Sequence, residues 1–442
     1  MKQPNIIFMI TDDQGYESLS CNGADSLRTP YIDQLAATGI NFRHCHATPL
    51  CTPSRAMAMT GKYPFRTNML TLMNTSSDRF LSPSFPTMAS VLRAAGYHCA
   101  AVGKWHLANF QTRPNHAYQL GFDEYNIWTR EKEKYQRYWN PVIKQNGRYL
   151  HELETFDHYG PDKQNEFAID FIKRHQERPF FLYYAMTLPH TLFTPTPDSE
   201  NLALKDKRGI RSGPEAVLNF QDMVMYADKL VGQLVSTLDD LGLRENTLII
   251  FTSDHGTNHY VGTRLKDGRW ISGHKGDIRG GTRVPCIVNW KGVTPIGEVK
   301  DDLIDFTDFL VTFADVANAK LPEDEVFDGK SFLPQIRGEA GTPREWAFSQ
   351  FYRWWCIVGP RWKLVMPDNE LVDMHAYPFD PAEPIIAKET PETVAVRRQL
   401  LAWLQELNPG PYVPDDAIPP EEVNRMHKFE SRMNSRRRTS HH

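Results

Sequence analysis

Four apolar runs of strand length constrain what this chain can fold into. They are residues 5–11 (NIIFMIT), 98–102 (HCAAV), 180–186 (FFLYYAM) and 248–252 (LIIFT). A half-solvated strand alternates apolar and polar residues. A nearly unbroken apolar run is the pattern of a strand buried on both faces, as in a parallel sheet covered by helices. Each run ends in ionisable residues: Asp12-Asp13, Lys104-Trp105-His106, Pro189-His190 and Asp254-His255. Strand C-termini point the same way in a parallel sheet, and ligands bind outside them. The pattern therefore predicts that Asp12, Asp13, Lys104, His106, His190, Asp254 and His255 share one rim. Taken alone, Asp12-Asp13 also reads as an exposed turn. If both carboxylates point inward, they need pairing cations or a metal.

Helical periodicity fills the intervals. Residues 31–39 follow Thr29-Pro30, residues 87–95 stop at Gly96, and residues 218–241 stop at Gly242. From about residue 342 the character changes. Short strand-like runs at 346–350, 354–358, 363–366 and 370–374 precede an amphipathic stretch at 391–407, with Thr390 as cap and Pro391 at the first helical position. The expected fold class is α/β. Residues 1–340 form a large mixed, mostly parallel sheet flanked by helices, and residues 341–415 a smaller α+β subdomain with an antiparallel sheet and a helix. Residues 416–442 form a basic, flexible tail around Arg436-Arg437-Arg438.

Between the first two runs lies Cys51-Thr52-Pro53-Ser54-Arg55. Thr52 suits an N-cap and Pro53 a first helical position, so Cys51 is expected just before a helix N-terminus. The dipole and free N–H groups there favour negative charge, and Arg55 lies one turn further in. Such a cysteine is either an activated nucleophile or a buried structural residue.

The balance of 50 Lys+Arg against 54 Asp+Glu argues against general nucleic-acid binding. Six cysteines without a CxxC pair give no disulfide framework, and His44-Cys45-His46 matches no zinc-ligand spacing. No apolar run reaches membrane-spanning length. Met1 leads straight into a strand with no signal peptide, which predicts a cytoplasmic protein as written, periplasmic or secreted if a leader was removed. Residues 128–139 interleave aromatics with charges, as a substrate-facing loop or a surface helix.

Cys51 to Arg55, followed by Gly61-Lys62, resembles the signature of the type I, formylglycine-dependent sulfatases of the alkaline phosphatase superfamily. Further elements match in chain order. They are residues 5–13, Gly103-Lys104-Trp105-His106-Leu107, Pro189-His190, Ser253-Asp254-His255-Gly256, Lys275 with Arg283-Val284-Pro285, and Leu371-Val372-Asp373 with Asp380-Pro381-Ala382-Glu383. The likeness spans residues 4–385. The chain departs from the pattern at His255, where many members carry Asn, and at Arg279, where an acidic residue often precedes the Gly-Gly pair.

The resemblance implies a sulfatase acting on a sulfated small molecule or saccharide, with a carbohydrate sulfate preferred. Cys51 would be converted to Cα-formylglycine by a maturation enzyme. Ca²⁺, or Mg²⁺, would be held by Asp12, Asp13, Asp254, His255 and an oxygen of the modified residue 51. Lys104, Lys275 and Arg55 would surround the sulfate and the hydrated aldehyde with positive charge. One aldehyde-hydrate hydroxyl would attack sulfur, His190 (or Lys275) would protonate the leaving alcohol, and His106 would deprotonate the second hydroxyl to expel sulfate. Trp105, Trp128, Arg130, Trp139, Arg264 and Trp270 are expected to shape the pocket. Two alternatives stand beside this reading: a phosphonate monoester or phosphodiester hydrolase of the same superfamily, and a non-catalytic carbohydrate-binding protein on the same scaffold.

Overall fold

The computed structural model describes residues 3–73, 79–129, 136–374 and 389–409. Arg130, Asp380 to Glu383 and the basic tail lie outside these residues.

A 10-stranded sheet runs through the larger part of the molecule in the order β12-β2-β11-β8-β1-β7-β3-β4-β5-β6. Its strands are β1 (Asn5–Thr11), β2 (Ile40–His46), β3 (His98–Lys104), β4 (Glu124–Trp128), β5 (Ile143–Gln145), β6 (Arg148–Tyr149), β7 (Phe180–Ala185), β8 (Thr247–Ser253), β11 (Arg283–Trp290) and β12 (Glu298–Asp305). A small hairpin, β9 (Gly262–Arg264) with β10 (Trp270–Ser272), stands apart. The four apolar runs are the central strands β8, β1, β7 and β3, all parallel to one another. β11 is antiparallel to both β8 and β2, so the sheet is mixed.

β1 explains why the centre is rigid. All seven residues are buried. Ile6, Phe8 and Ile10 enter one apolar layer and Ile7 and Met9 the other, because alternate strand residues face opposite sides. At roughly 1.5–3 kcal/mol per buried large apolar side chain, these five stabilise the strand by about 10 kcal/mol before chain entropy is counted. Helices Cys51–Thr60, Met88–Ala94 and Asp308–Ala317 pack on the first face. Pro30–Ala37, Gly160–Arg174 and Pro214–Asp240 pack on the second.

A separate antiparallel sheet follows, β13 (Ala347–Phe351), β14 (Trp354–Val358), β15 (Trp362–Met366) and β16 (Glu370–Asp373), in sequential order. The helix Pro391–Leu407 packs on it through Leu400, and the Thr390 side chain closes a capping box with Thr393. No helix among the described residues is long and apolar enough to cross a membrane.

One local expectation is corrected. The helix begins at Cys51 itself, with Leu50 as the N-cap residue. Thr52 does not cap it, because its Oγ1 accepts from the Met73 N–H at 3.1 Å. Gly61 ends the helix at φ 64° as its position suggested.

Candidate active site

The C-terminal ends of β1, β3 and β8 deliver Asp12, Asp13, Lys104, Asp254 and His255 to one place, and the first turn of helix Cys51–Thr60 delivers Cys51. Asp12, Asp13, Cys51, Asp254 and His255 are all buried, with ligand atoms within 4.8 Å of one another. Backbone pairing carries on past the strand ends, with Asp12 N donating to Leu188 O (2.9 Å) and Asp254 N to Thr11 O (3.0 Å). Asp13 then turns into the left-handed region at φ 69°, so that both adjacent carboxylates face inward. Gly103 precedes Lys104 at φ 96°. A Cβ there would stand 1.9 Å from Ala185 O, so only glycine lets β3 end beside β7.

Cations hold these carboxylates. Lys104 Nζ donates to Asp12 Oδ1 at 2.7 Å and lies 3.0 Å from Cys51 Sγ. Arg55 is fully buried and grips Asp254 Oδ2 through Nε (3.0 Å) and Nη2 (2.8 Å). Lys275 Nζ donates to Asp13 Oδ1 at 2.5 Å and to His190 Nε2 at 3.1 Å. Asn258 Nδ2 donates to Asp13 Oδ2 at 3.0 Å.

The charges shift each group in a definite direction. Burial pushes the Cys51 thiol up, but the Lys104 and Lys275 ammonium groups outweigh it and hold the thiol below its ordinary value. Asp12 is likewise held well below the carboxylate range by Lys104, His190, Arg55 and Arg137 against the cost of burial. Asp13 stays raised by burial, which Lys275 offsets only in part. His255 is raised to about 9: burial opposes its charge, but Asp254, Cys51 and Asp13 prevail.

The protons on the three histidines follow from their partners. His255 Nδ1 lies 3.0 Å from Gly256 O, to which only an Nδ1–H can donate. Its Nε2 then faces Cys51 Sγ (3.0 Å), Asp13 Oδ1 (3.3 Å) and Asp254 Oδ1 (3.4 Å). Two carboxylate oxygens and a sulfur around that nitrogen call for positive charge there: with the ring raised to about 9 a proton on Nε2 supplies it, and a divalent cation would supply it in the proton's place. Three carboxylates with an imidazole make a donor set that suits a hard divalent cation, and the second bond of the ring fixes it for ligation. The residues therefore fit a metal. His106, at φ 55°, donates from Nε2 to Met73 O (3.2 Å), while its buried Nδ1 has no hydrogen-bond partner. His190 donates from Nδ1 to Thr191 O. Burial, with neighbouring cations, holds both His106 and His190 well below the ordinary imidazole value.

A cavity of about 240 Å³ opens above this floor, lined in part by Cys51, Lys104, His106, Trp128, His190 and Lys275. Arg137 also lines it and was not singled out from the sequence. Its guanidinium lies 4.3 Å from the Trp128 ring centroid, and its Nη1 is 3.4 Å from Asp12 Oδ2. Of the aromatic and basic residues expected to shape the pocket, Trp105 and Trp128 line it. Trp139 lines a neighbouring recess. Arg264 and Trp270 lie on the β9–β10 hairpin and line neither cavity.

The Lys275 loop is fastened from below. Lys275 N donates to Thr257 O and Gly276 N to Pro49 O, both at 2.9 Å. Arg279 points away from the cavity to Glu370 Oε2 (2.7 Å) and Asp368 Oδ2 (3.3 Å). Lys363 of β15, fully buried, donates to Arg279 O (2.5 Å) and Thr282 Oγ1 (3.0 Å). The antiparallel sheet thus anchors the loop that carries Lys275.

A second histidine–carboxylate cluster, His98, Glu124 and His175, has a different build. Arg178 donates to His175 Nδ1 (2.9 Å), which leaves the ring proton on Nε2, where it donates to Glu124 Oε1 (2.8 Å). Arg174 Nη2 donates to Glu124 Oε2 (2.7 Å) and His98 Nε2 donates to Oε1 (3.0 Å).

Comparison with known proteins was consistent with this geometry. A family model described as Sulfatase matches residues 4–319. The N-acetylgalactosamine-6-sulfatase of Canis lupus familiaris is 33% identical over 370 residues, covering 77% of this chain and 67% of that protein. The N-acetylgalactosamine-6-O-sulfatase of Bacteroides thetaiotaomicron is 28% identical over 489 residues, covering 90% and 93%. The chain spans about two thirds of the length of the mammalian relatives it matches. Among solved structures, Ps i-CgsB superposes with a TM-score of 0.77 at 25% identity, covering 92% of this chain and 93% of that one. A protein solved with its substrate D-glucosamine-2-N,6-O-disulfate gives a TM-score of 0.70 at 21% identity, covering 92% of this chain and 98% of that one, and supports the fold alone.

Proposed function

The chain belongs to the sulfatase family, and from that premise we propose that it hydrolyses the sulfate ester of a sulfated carbohydrate, with residue 51 as nucleophile. The observation that carries this reading is the position of Cys51: its Sγ lies 3.0 Å from both Lys104 Nζ and His255 Nε2, on a floor of three buried carboxylates. Relatives whose names specify sulfated amino sugars support the carbohydrate substrate.

The side chain carried here as a thiol is, in this reading, matured to Cα-formylglycine, whose hydrate supplies the attacking hydroxyl. Asp12, Asp13, Asp254 and His255 would hold a divalent cation, calcium or magnesium, that supplies Lewis-acid polarisation of the sulfate. The three carboxylates are already matched by Lys104, Lys275 and Arg55, so a bound divalent ion leaves the site net positive, as an anionic ester requires.

The remaining work falls to the chain's own groups. Lys104, Lys275 and Arg137 surround the position of the sulfate oxygens. Lys275 and His190 share a hydrogen bond at 3.1 Å, so the pair carries the proton that the leaving alcohol takes up. His106, with its Nε2 proton committed to Met73 O, presents Nδ1 as the base that removes a proton from residue 51 in the second half of the reaction. Matured protein should release inorganic sulfate from a sulfated monosaccharide or an aryl sulfate, and Cys51→Ala should release none. Faster turnover of a matched phosphonate ester than of the sulfate would overturn the assignment.

A further inference from the structure

Arg137 lines two cavities. One is the catalytic pocket; the other is a recess of about 290 Å³ whose walls include Trp139, Asn140, Thr191, Lys207 and Arg208. The two share Arg137 and adjoin along the chain, since His190 lines the first and Thr191 the second. The catalytic pocket, at about 240 Å³, falls below the roughly 300 Å³ at which small-molecule sites begin. It has room for one sulfated sugar unit, and any further unit of a saccharide must lie outside it.

The chemistry of the recess has one sign. Among the described residues, three cations line it (Arg137, Lys207 and Arg208) and no carboxylate does. The carboxylates that partner two of them stand outside the walls. Lys207 Nζ lies 2.5 Å from Asp157 Oδ1 and 3.9 Å from the centroid of the Trp139 ring. Arg208 Nη2 lies 2.8 Å from Asp206 Oδ2, with the arginine side chain 90% exposed. Exposed pairs of this kind contribute little, so an incoming anion can compete for both cations. Gln136 and Asn140 add amide groups able to meet sugar hydroxyls. Arg137 offers a planar fork suited to two oxygens at once.

We infer that this recess is a subsite for the sugar unit adjoining the sulfated one, and that it selects a neighbour bearing a negative charge, either carboxylate or sulfate. The inference rests on the sulfatase reading of the catalytic pocket. It would make the substrate a polyanionic oligosaccharide rather than a single sulfated sugar.

The test compares three sulfated disaccharides that differ only in the second unit: neutral, carboxylated or sulfated. For matured wild type, kcat/KM should be about ten-fold higher with a charged neighbour than with the neutral one, and the ratio should shrink as salt screens the exposed cations. In Lys207→Met/Arg208→Met the ratio should fall to about one; because it is internal to each protein, partial loss of folded enzyme cancels. The carboxylated and sulfated arms show which anion the recess takes. A ratio near one in wild type, or a ratio unchanged in the double variant, overturns the subsite. Failure of wild type to release sulfate from any of the three, and from a sulfated monosaccharide, overturns the sulfatase reading itself.

Discussion

Two histidine–carboxylate clusters sit at opposite ends of the same sheet, and their rings are held in different ways. At the C-terminal ends of β1 and β8, His255 gives its Nδ1 proton to Gly256 O and turns Nε2 toward Asp13 and Asp254. At the N-terminal ends of β3 and β4, Arg178 donates to His175 Nδ1, so Nε2 carries the proton and spends it on Glu124. The first gathers carboxylate oxygens around one ring nitrogen, where positive charge is needed and a divalent cation can take the place of a proton. The second is already satisfied, with Arg174, His175 and His98 all donating to one carboxylate. Residue types alone would rate both as metal sites; the second bond of each ring separates them.

The largest effects should come from the first cluster. Asp254→Asn removes a proposed ligand and the partner of Arg55, and should lower kcat/KM by about 10³-fold or more, whereas Glu124→Gln should leave it within about two-fold. Equal losses in both variants would erase the functional distinction. His106→Ala should show about one equivalent of alcohol released rapidly and then a steady rate lower by about 10²–10⁴-fold, read by quenched-flow. Full steady turnover would remove His106 from its role.

Metal addition sharpens the contrast without activity. Calcium at about 100 times its Kd should raise the melting temperature by about 3 °C, from a stabilisation of about 2.7 kcal/mol spread over a chain of this size. The shift should persist in Glu124→Gln and vanish in Asp254→Asn, as followed by calorimetry. A shift lost in Glu124→Gln instead would place the ion at the far cluster.

The smallest effect belongs to the ion-pair cluster. Burial alone would raise Glu124, but hydrogen bonds from Arg174, His175 and His98 bring it from 4.5 to about 2. A depressed carboxylate stabilises the fold above its unfolded value and loses that contribution as pH falls through the folded one. Glu124→Gln should therefore cost about 1–2 kcal/mol above pH 4.5, after allowance for partial exposure, and the wild-type and variant curves should converge toward pH 2. Denaturant titrations across that window would reveal a constant gap if the carboxylate plays no such part.

The same comparison shows what was legible in the sequence. Asp12, Asp13, Lys104, Asp254 and His255 could be read because each ends an apolar run, and strand polarity sends all such ends to one rim. Cys51 and Arg55 came from a local motif. Arg137 was hidden among other basic residues in a stretch whose periodicity decides nothing. β12 was equally hidden, since four of its first five residues (EVKDD) are charged and all five are at least partly solvated. The cap expected of Thr52 failed because a distant backbone group, Met73 N, claims its hydroxyl. Arg279 and Lys363 gain their meaning only once the antiparallel sheet is seen beneath the Lys275 loop.

The central claim is that residue 51 is the nucleophile. Tandem mass spectrometry of the tryptic peptide from His44 to Arg55, taken from protein that releases sulfate, tests it most directly. The account predicts an aldehyde at position 51 with Cys45 intact. An unmodified Cys51 in fully active protein would contradict it.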